Sequence, residues 1–215
     1  MGAGSALGHM ALHYGPGDER PARRLLELIG CTLVDNGPAP GADGFCTVLV
    51  DQDSANYADN IMFLSRISDG QLKLEQAITA GIGAGTAGED DAVAAYRDKT
   101  LASPEIISHI GIRYQSFAAL EEAVGAIEEA SKPGGELDGR VQVTKHVRLG
   151  LDPAIDERIA ASPVFAGDVQ PAYADYWLQC FVRTDLCGFG ILAFGQTFEL
   201  DFVFEPFFVQ PPRFG

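Results

Sequence analysis

Residues 8–30 read GHMALHYGPGDERPARRLLELIG, and residues 108–130 read SHIGIRYQSFAALEEAVGAIEEA. Each stretch opens with a histidine, then a bulky apolar residue, Ala or Gly, Leu or Ile, any residue, and a tyrosine. Each then turns into an amphipathic segment. His9 and His109 hold the same place in the two copies. Such self-similarity marks a repeated supersecondary unit, because one copy alone leaves an apolar face uncovered. The opening runs, 10–14 and 110–114, predict short strands. Asp18 is a candidate N-cap for a helix whose stripe is Ala22, Leu25, Leu26, Leu28 and Ile29, with Gly30 as its stop. Ser116 is the corresponding cap in the second copy, and Phe117, Leu120, Ala123, Val124 and Ile127 recur at helical spacing.

Strand-like runs follow each helix, at 31–34, 45–50 and 61–67 in the first copy, and at 141–147, 176–183, 190–194 and 198–204 in the second. Each half therefore reads as strand, helix and about three further strands. The expected fold class is α+β, with two tandem βαβββ modules whose half-sheets close on each other. The expected boundaries are 8–70 for the first module, 71–104 for an inter-module linker with a helix near 92–101, 105–205 for the second module, and 206–215 for a C-terminal tail. The linker's AGIGAGTAGEDD follows no clear strand and lacks a GK[ST] ending, so it reads as a flexible connection and not as a phosphate cradle. Residues 148–175 read as a long inserted loop, of a length usually seen in lids or interface arms.

Composition narrows the partners. Fifteen basic residues against thirty acidic ones give a formal charge of −15, a poor match for nucleic acid or an anionic membrane surface. No stretch approaches the roughly 20 apolar residues of a membrane helix, and MGAGSALGHM lacks the basic and apolar regions of a signal peptide. Cys31, Cys46, Cys180 and Cys187 show no paired spacing, and they read as small buried hydrophobes with free thiols. The expectation is a cytoplasmic protein with no nucleic-acid or membrane partner; the apolar segment at 203–214 reads as an interface strand or arm of a possible homodimer, with a monomer as the alternative.

The duplicated opening strands resemble those of the vicinal oxygen chelate superfamily, which includes glyoxalase I, extradiol ring-cleaving dioxygenases and bleomycin-binding proteins. Its opening strand commonly reads like GHVAL, and GHMAL at 8–12 and SHIGI at 108–112 match it. Its closing strand commonly reads like DGNxIEL, and GQTFEL at 195–200 matches that, with Glu199 in the ligand position. The same alignment puts DNIMFL at 59–64 on the first closing strand, with Phe63 where a carboxylate would stand. The resemblance spans about 8–204, apart from the two insertions.

What the resemblance implies is paired half-sheets around a central cleft, with a metal held there by His9, His109 and Glu199, and Phe63 in the fourth position. Two imidazoles and one carboxylate on one face of an octahedral ion suit non-haem Fe(II), leaving the opposite positions for a chelating substrate and O2. Mn(II), Co(II), Ni(II) or Zn(II) fit the same donors. The implied function is a metal-dependent enzyme, Fe(II) dioxygenase-like, acting on a small-molecule substrate that chelates through two adjacent oxygens. The alternatives are a glyoxalase-like lyase or isomerase, and a non-catalytic small-molecule binding protein of the bleomycin-resistance type. His146 and His13 are candidate acid–base groups, and Phe63, Tyr14, Tyr114, Tyr176 and Trp177 candidate pocket residues, as is Tyr173. Phe181 to Phe198 contains neither of the His and Tyr expected before the final Glu of an extradiol enzyme. Plainer readings stay open from sequence alone: a terminal remnant for His9, a strand histidine bonded to a carbonyl for His109, and an exposed edge carboxylate for Glu199.

Overall fold

The computed structural model describes residues 8–37, 45–51, 60–167, 169–172 and 175–204. Among them the chain is a mixed α+β protein with five α-helices and two mixed sheets, of five and four strands. It divides into two units, Met1–Ser103 with Thr184–Gln196, and Pro104–Arg183 with Thr197–Gly215. No described helix is long and apolar enough to cross a membrane.

The first unit begins with β1 (His9–Tyr14), where alternation buries Leu12 and Tyr14 and leaves His9 and Ala11 exposed. His9 thus opens a strand, in register with Ile61. Helix α1 (Glu19–Leu28) follows and buries Ala22, Leu25 and Leu26, with Ile29 beside them. Full burial of each large aliphatic side chain contributes roughly 1.5–3 kcal/mol. Asp18 occupies the N-cap position but makes no capping bond, because its backbone (φ −95°, ψ 3°) is not extended as a capping side chain requires. Gly30, at φ +96°, ends the turn where a side chain would be strained.

Strands β2 (Thr32–Asp35), β3 (Phe45–Leu49) and β4 (Ile61–Arg66) complete the order β2-β3-β4-β1, with β4 parallel to β1. Two helices, α2 (Asp69–Gly81) and α3 (Asp91–Ala102), occupy the expected linker, each opened by a side-chain cap, from Ser68 and Asp90. The fifth strand of this sheet comes from far along the chain. Residues 190–194 were expected as a strand of the second half; instead β8 is Cys187–Gly188, antiparallel to β1, and Leu192–Phe194 forms a 3-10 turn. Glycines at 188, 190 and 195 interrupt the apolar run. Glu75, buried on α2, then holds the turn by accepting the Leu192 N–H at 3.2 Å.

In the second unit β5 (His109–Arg113) leads into α4 (Phe117–Ala130), which Ser116 caps by accepting the Ala119 N–H. All five residues of the expected stripe on α4 are buried. Strands β6 (Val141–Val147), β7 (Trp177–Thr184) and β9 (Gln196–Val203) give the order β5-β9-β7-β6, with β9 parallel to β5. The inserted stretch is not structureless. Asp152, followed by Pro153, caps helix α5 (Pro153–Ala160), and Ser162 bonds Glu121 of α4 and caps the next turn through the N–H groups of Val164 and Phe165. Phe117 meets Phe165, Phe202 and Phe204 at centroid distances of 5.6, 6.2 and 5.8 Å, so one face of β9 packs on α4. Tyr173, and all of 203–214 beyond Phe204, lie outside the described residues.

Candidate functional site

Strand alternation gives β9 two faces. Phe198, Leu200 and Phe202 turn to the helix side, which leaves Thr197, Glu199 and Asp201 on the other, and all of them are buried. Because β9 lies between β5 and β7, Glu199 is not an edge carboxylate. A carboxylate in such a position needs partners, and it has two. His109 Nε2 lies 2.8 Å from Glu199 Oε2, and Gln179 Nε2 donates to Glu199 Oε1 at 2.6 Å. Asp201, two residues on, is held by Arg113 through Nε at 2.8 Å and Nη2 at 3.2 Å, with the guanidinium stacked 4.4 Å above the Trp177 ring. The Asp201 carboxylate raises the Arg113 pKa further above its ordinary value.

The His109 ring is oriented from behind. Its Nδ1 lies 2.8 Å from the Ile107 carbonyl, which accepts only, so Nδ1 carries the proton. The Nε2 lone pair then faces a carboxylate oxygen, an arrangement that requires a proton or a cation between the two. Two donors about 2.1 Å from one ion stand about 3.0 Å apart as cis neighbours in an octahedron, and about 3.4 Å apart in a tetrahedron. The observed 2.8 Å is shorter than either and is the length of a direct charge-assisted hydrogen bond. A backbone carbonyl behind the histidine and an amide behind the carboxylate are the outer-shell contacts that orient metal ligands. The residue types and the contacts behind them are those of metal donors, while the spacing is that of a direct hydrogen bond. Among the described residues no group of three or more His, Cys, Asp or Glu side chains is assembled for a metal.

The other expected site residues fall as follows. His9 belongs to the first unit, where its ring lies 5.1 Å from that of Phe63, itself edge-on to Phe45 at 5.5 Å. Phe63 stands opposite Ala11, two beyond His9, as Glu199 stands opposite Gly111, two beyond His109. The register thus gives Phe63 and Glu199 equivalent places. Four residues beyond the histidines the match continues: His13 Nδ1 lies 3.1 Å from Ser65 Oγ, and Arg113 pairs with Asp201.

Tyr14 alternates away from His9 and His13 to the buried side, with Leu12, and burial raises its pKa, aided by Glu19. Tyr114 donates its backbone N–H to Asp201 just past β5, and Tyr176, at φ +63°, accepts the Phe204 N–H before β7. His146 is buried on β6, its ring edge-on to Phe181 at 5.2 Å. Comparison of the chain with protein-family models, with curated proteins and with solved structures finds no match in any of the three.

Gln179, Asp201 and Arg113 were absent from the expected site. Gln179 had a signal in the sequence, as the one amide inside the apolar run WLQCFV. A polar side chain in a central strand demands a buried partner.

Proposed function

We propose that the chain is a divalent-metal-dependent enzyme of the vicinal oxygen chelate type, built of two tandem βαβββ modules around a cleft. In this reading His109 and Glu199 are metal ligands, and the resemblance supplies His9 as the third. The observation that carries it is the His109–Glu199 pair, with Nδ1 tied to a carbonyl, Nε2 aimed at the carboxylate, and Gln179 behind Glu199. The recurring strand order and the matching registers support the duplication.

A metal bound here supplies Lewis acidity toward a substrate chelating through two adjacent oxygens and, as Fe(II), a site for O2. The protein's part is to hold the donors ready. Ile107 fixes the histidine tautomer, and Gln179 holds one carboxylate oxygen so that the other points to His109. Phe63 leaves the fourth ligand position without a donor, which favours Fe(II) of the facial-triad kind, with Mn(II), Co(II), Ni(II) and Zn(II) as competitors.

The test is metal content after reconstitution with Fe(II) under anaerobic conditions. Wild type should bind one ion, and His109→Ala, Glu199→Ala and His9→Ala should each lose it. Equal content in all four proteins overturns the reading. Oxygen uptake with catechols then separates a dioxygenase from a lyase or isomerase that uses the ion only as a Lewis acid.

A further inference from the structure

Two buried side chains beside the His109–Glu199 pair carry atoms that bond to nothing among the described residues. Gln179 is 7% exposed and its Oε1 has no partner. His146 is 4% exposed and neither ring nitrogen has one. Buried polar atoms are nearly always satisfied, by protein, water or ligand.

The orientation of Gln179 is decided by its neighbour. A carboxylate only accepts, so the amide nitrogen faces Glu199 and Oε1 is left as a fixed acceptor. The two side chains belong to one continuous face. His146 meets Phe181 at 5.2 Å, and Phe181 meets His109 at 6.0 Å, both edge-on. His109 bonds Glu199, and Glu199 bonds Gln179, which lies two residues from Phe181 on β7.

We propose that Gln179 and His146 form a recognition subsite for a neutral aryl hydroxyl, whose proton goes to Gln179 Oε1. The charges present select this class. Oε1 sits beside a carboxylate, and Arg113, on the same face, is engaged by Asp201. An anion would meet the Gln179 Oε1 acceptor and the Glu199 carboxylate, with Arg113 already held by Asp201. A hydroxyl brings a proton for Oε1 and lone pairs for the ring N–H that the imidazole carries in either tautomer. The rings of Phe181, His109 and His146 supply an aromatic wall. The subsite is made of protein atoms alone, so it holds whether or not the metal reading does.

The test uses the full chain freed of metal by chelation, titrated calorimetrically with phenol, anisole and benzoate. Phenol should bind saturably, anisole about tenfold more weakly or worse because it has no proton to give, and benzoate not at all. Gln179→Met and His146→Phe should each bring the phenol-to-anisole ratio close to one. Imidazole 15N resonances give a second readout in the wild-type protein, where phenol should move the His146 nitrogens and anisole should not. Equal binding of phenol and anisole overturns the proposal. So does an absence of saturable phenol binding, the result expected if water alone fills these positions. Metal uptake measured on the same preparations separates this outcome from failure of the metal reading.

Discussion

Replacing Arg113 by alanine should destabilise the protein more than replacing its partner Asp201 by asparagine. The side chains of the pair are 44% and 7% exposed, respectively. Removing the guanidinium strands a buried carboxylate, a change that costs about 3–5 kcal/mol when the site is dry. Water reaching the half-exposed arginine position places the expected cost at the lower end, about 3 kcal/mol, including about 0.5–1 kcal/mol for the lost stacking on Trp177. The converse change, Asp201→Asn, leaves a guanidinium that turns to solvent, and a cost of about 1 kcal/mol is expected, near the value for an exposed pair. The double variant should lie closer to Asp201→Asn than to Arg113→Ala, because it carries no stranded charge. Urea unfolding followed by fluorescence reads this directly, since Trp177 is the one tryptophan of the chain and lies under the guanidinium. Equal costs for the two single variants, or a larger one for Asp201→Asn, would refute the argument that burial of the carboxylate sets the asymmetry.

Other outcomes are open to direct measurement. Burial pushes the Cys31 and Cys187 thiols from their ordinary 9.0 up to about 12, and Cys180 higher still, so none of the three should react with a disulfide reagent at pH 8 until the protein unfolds. These thiols ionise near 9 in the unfolded chain and stay neutral in the folded one. Their contribution is therefore whole below pH 9 and is lost as pH rises toward 12, by about 1.4 kcal/mol per pH unit for each thiol, a trend that urea midpoints taken between pH 8 and 10.5 should follow. Gly135→Ala should lower the melting temperature, since the added Cβ would lie 2.3 Å from the Ala130 carbonyl oxygen; an unchanged melting temperature would show that the turn shifts freely. Ser162→Ala removes the acceptor of two backbone N–H groups and should speed limited proteolysis within 161–167, at a cost of about 1–3 kcal/mol.

Much of the architecture was legible because local signals and burial agreed. The stripe on α4 and its Ser116 cap follow from spacing alone, and β3, β4 and β6 fall within a residue or so of the apolar runs that announced them. The misses have particular causes. Strand β8 is two residues long and exists through its pairing with β1, for which no sequence pattern speaks. Helix α5 did announce itself, through Asp152 and Pro153, but a Pro- and Ala-rich stretch reads first as loop. At the candidate site, the resemblance offered His109 and Glu199 as two ligands of one ion, and the structure sets them in direct contact, whereas Arg113 and Asp201 become visible as a pair only once the β5–β9 register is known. Gln179 needed the sheet order as well, since its role depends on β7 lying beside β9.

The detour through β8 has a consequence for synthesis and for dissection of the chain. The His13–Tyr14 end of β1 lacks its β8 partner on the ribosome until residue 188 has emerged, long after the rest of that sheet is made. A fragment ending at residue 103 would lack that pairing for good and offer the backbone groups at the His13–Tyr14 end of β1 to any passing strand. Expressed alone, such a half should self-associate, and adding residues 184–196 as a separate peptide should suppress it.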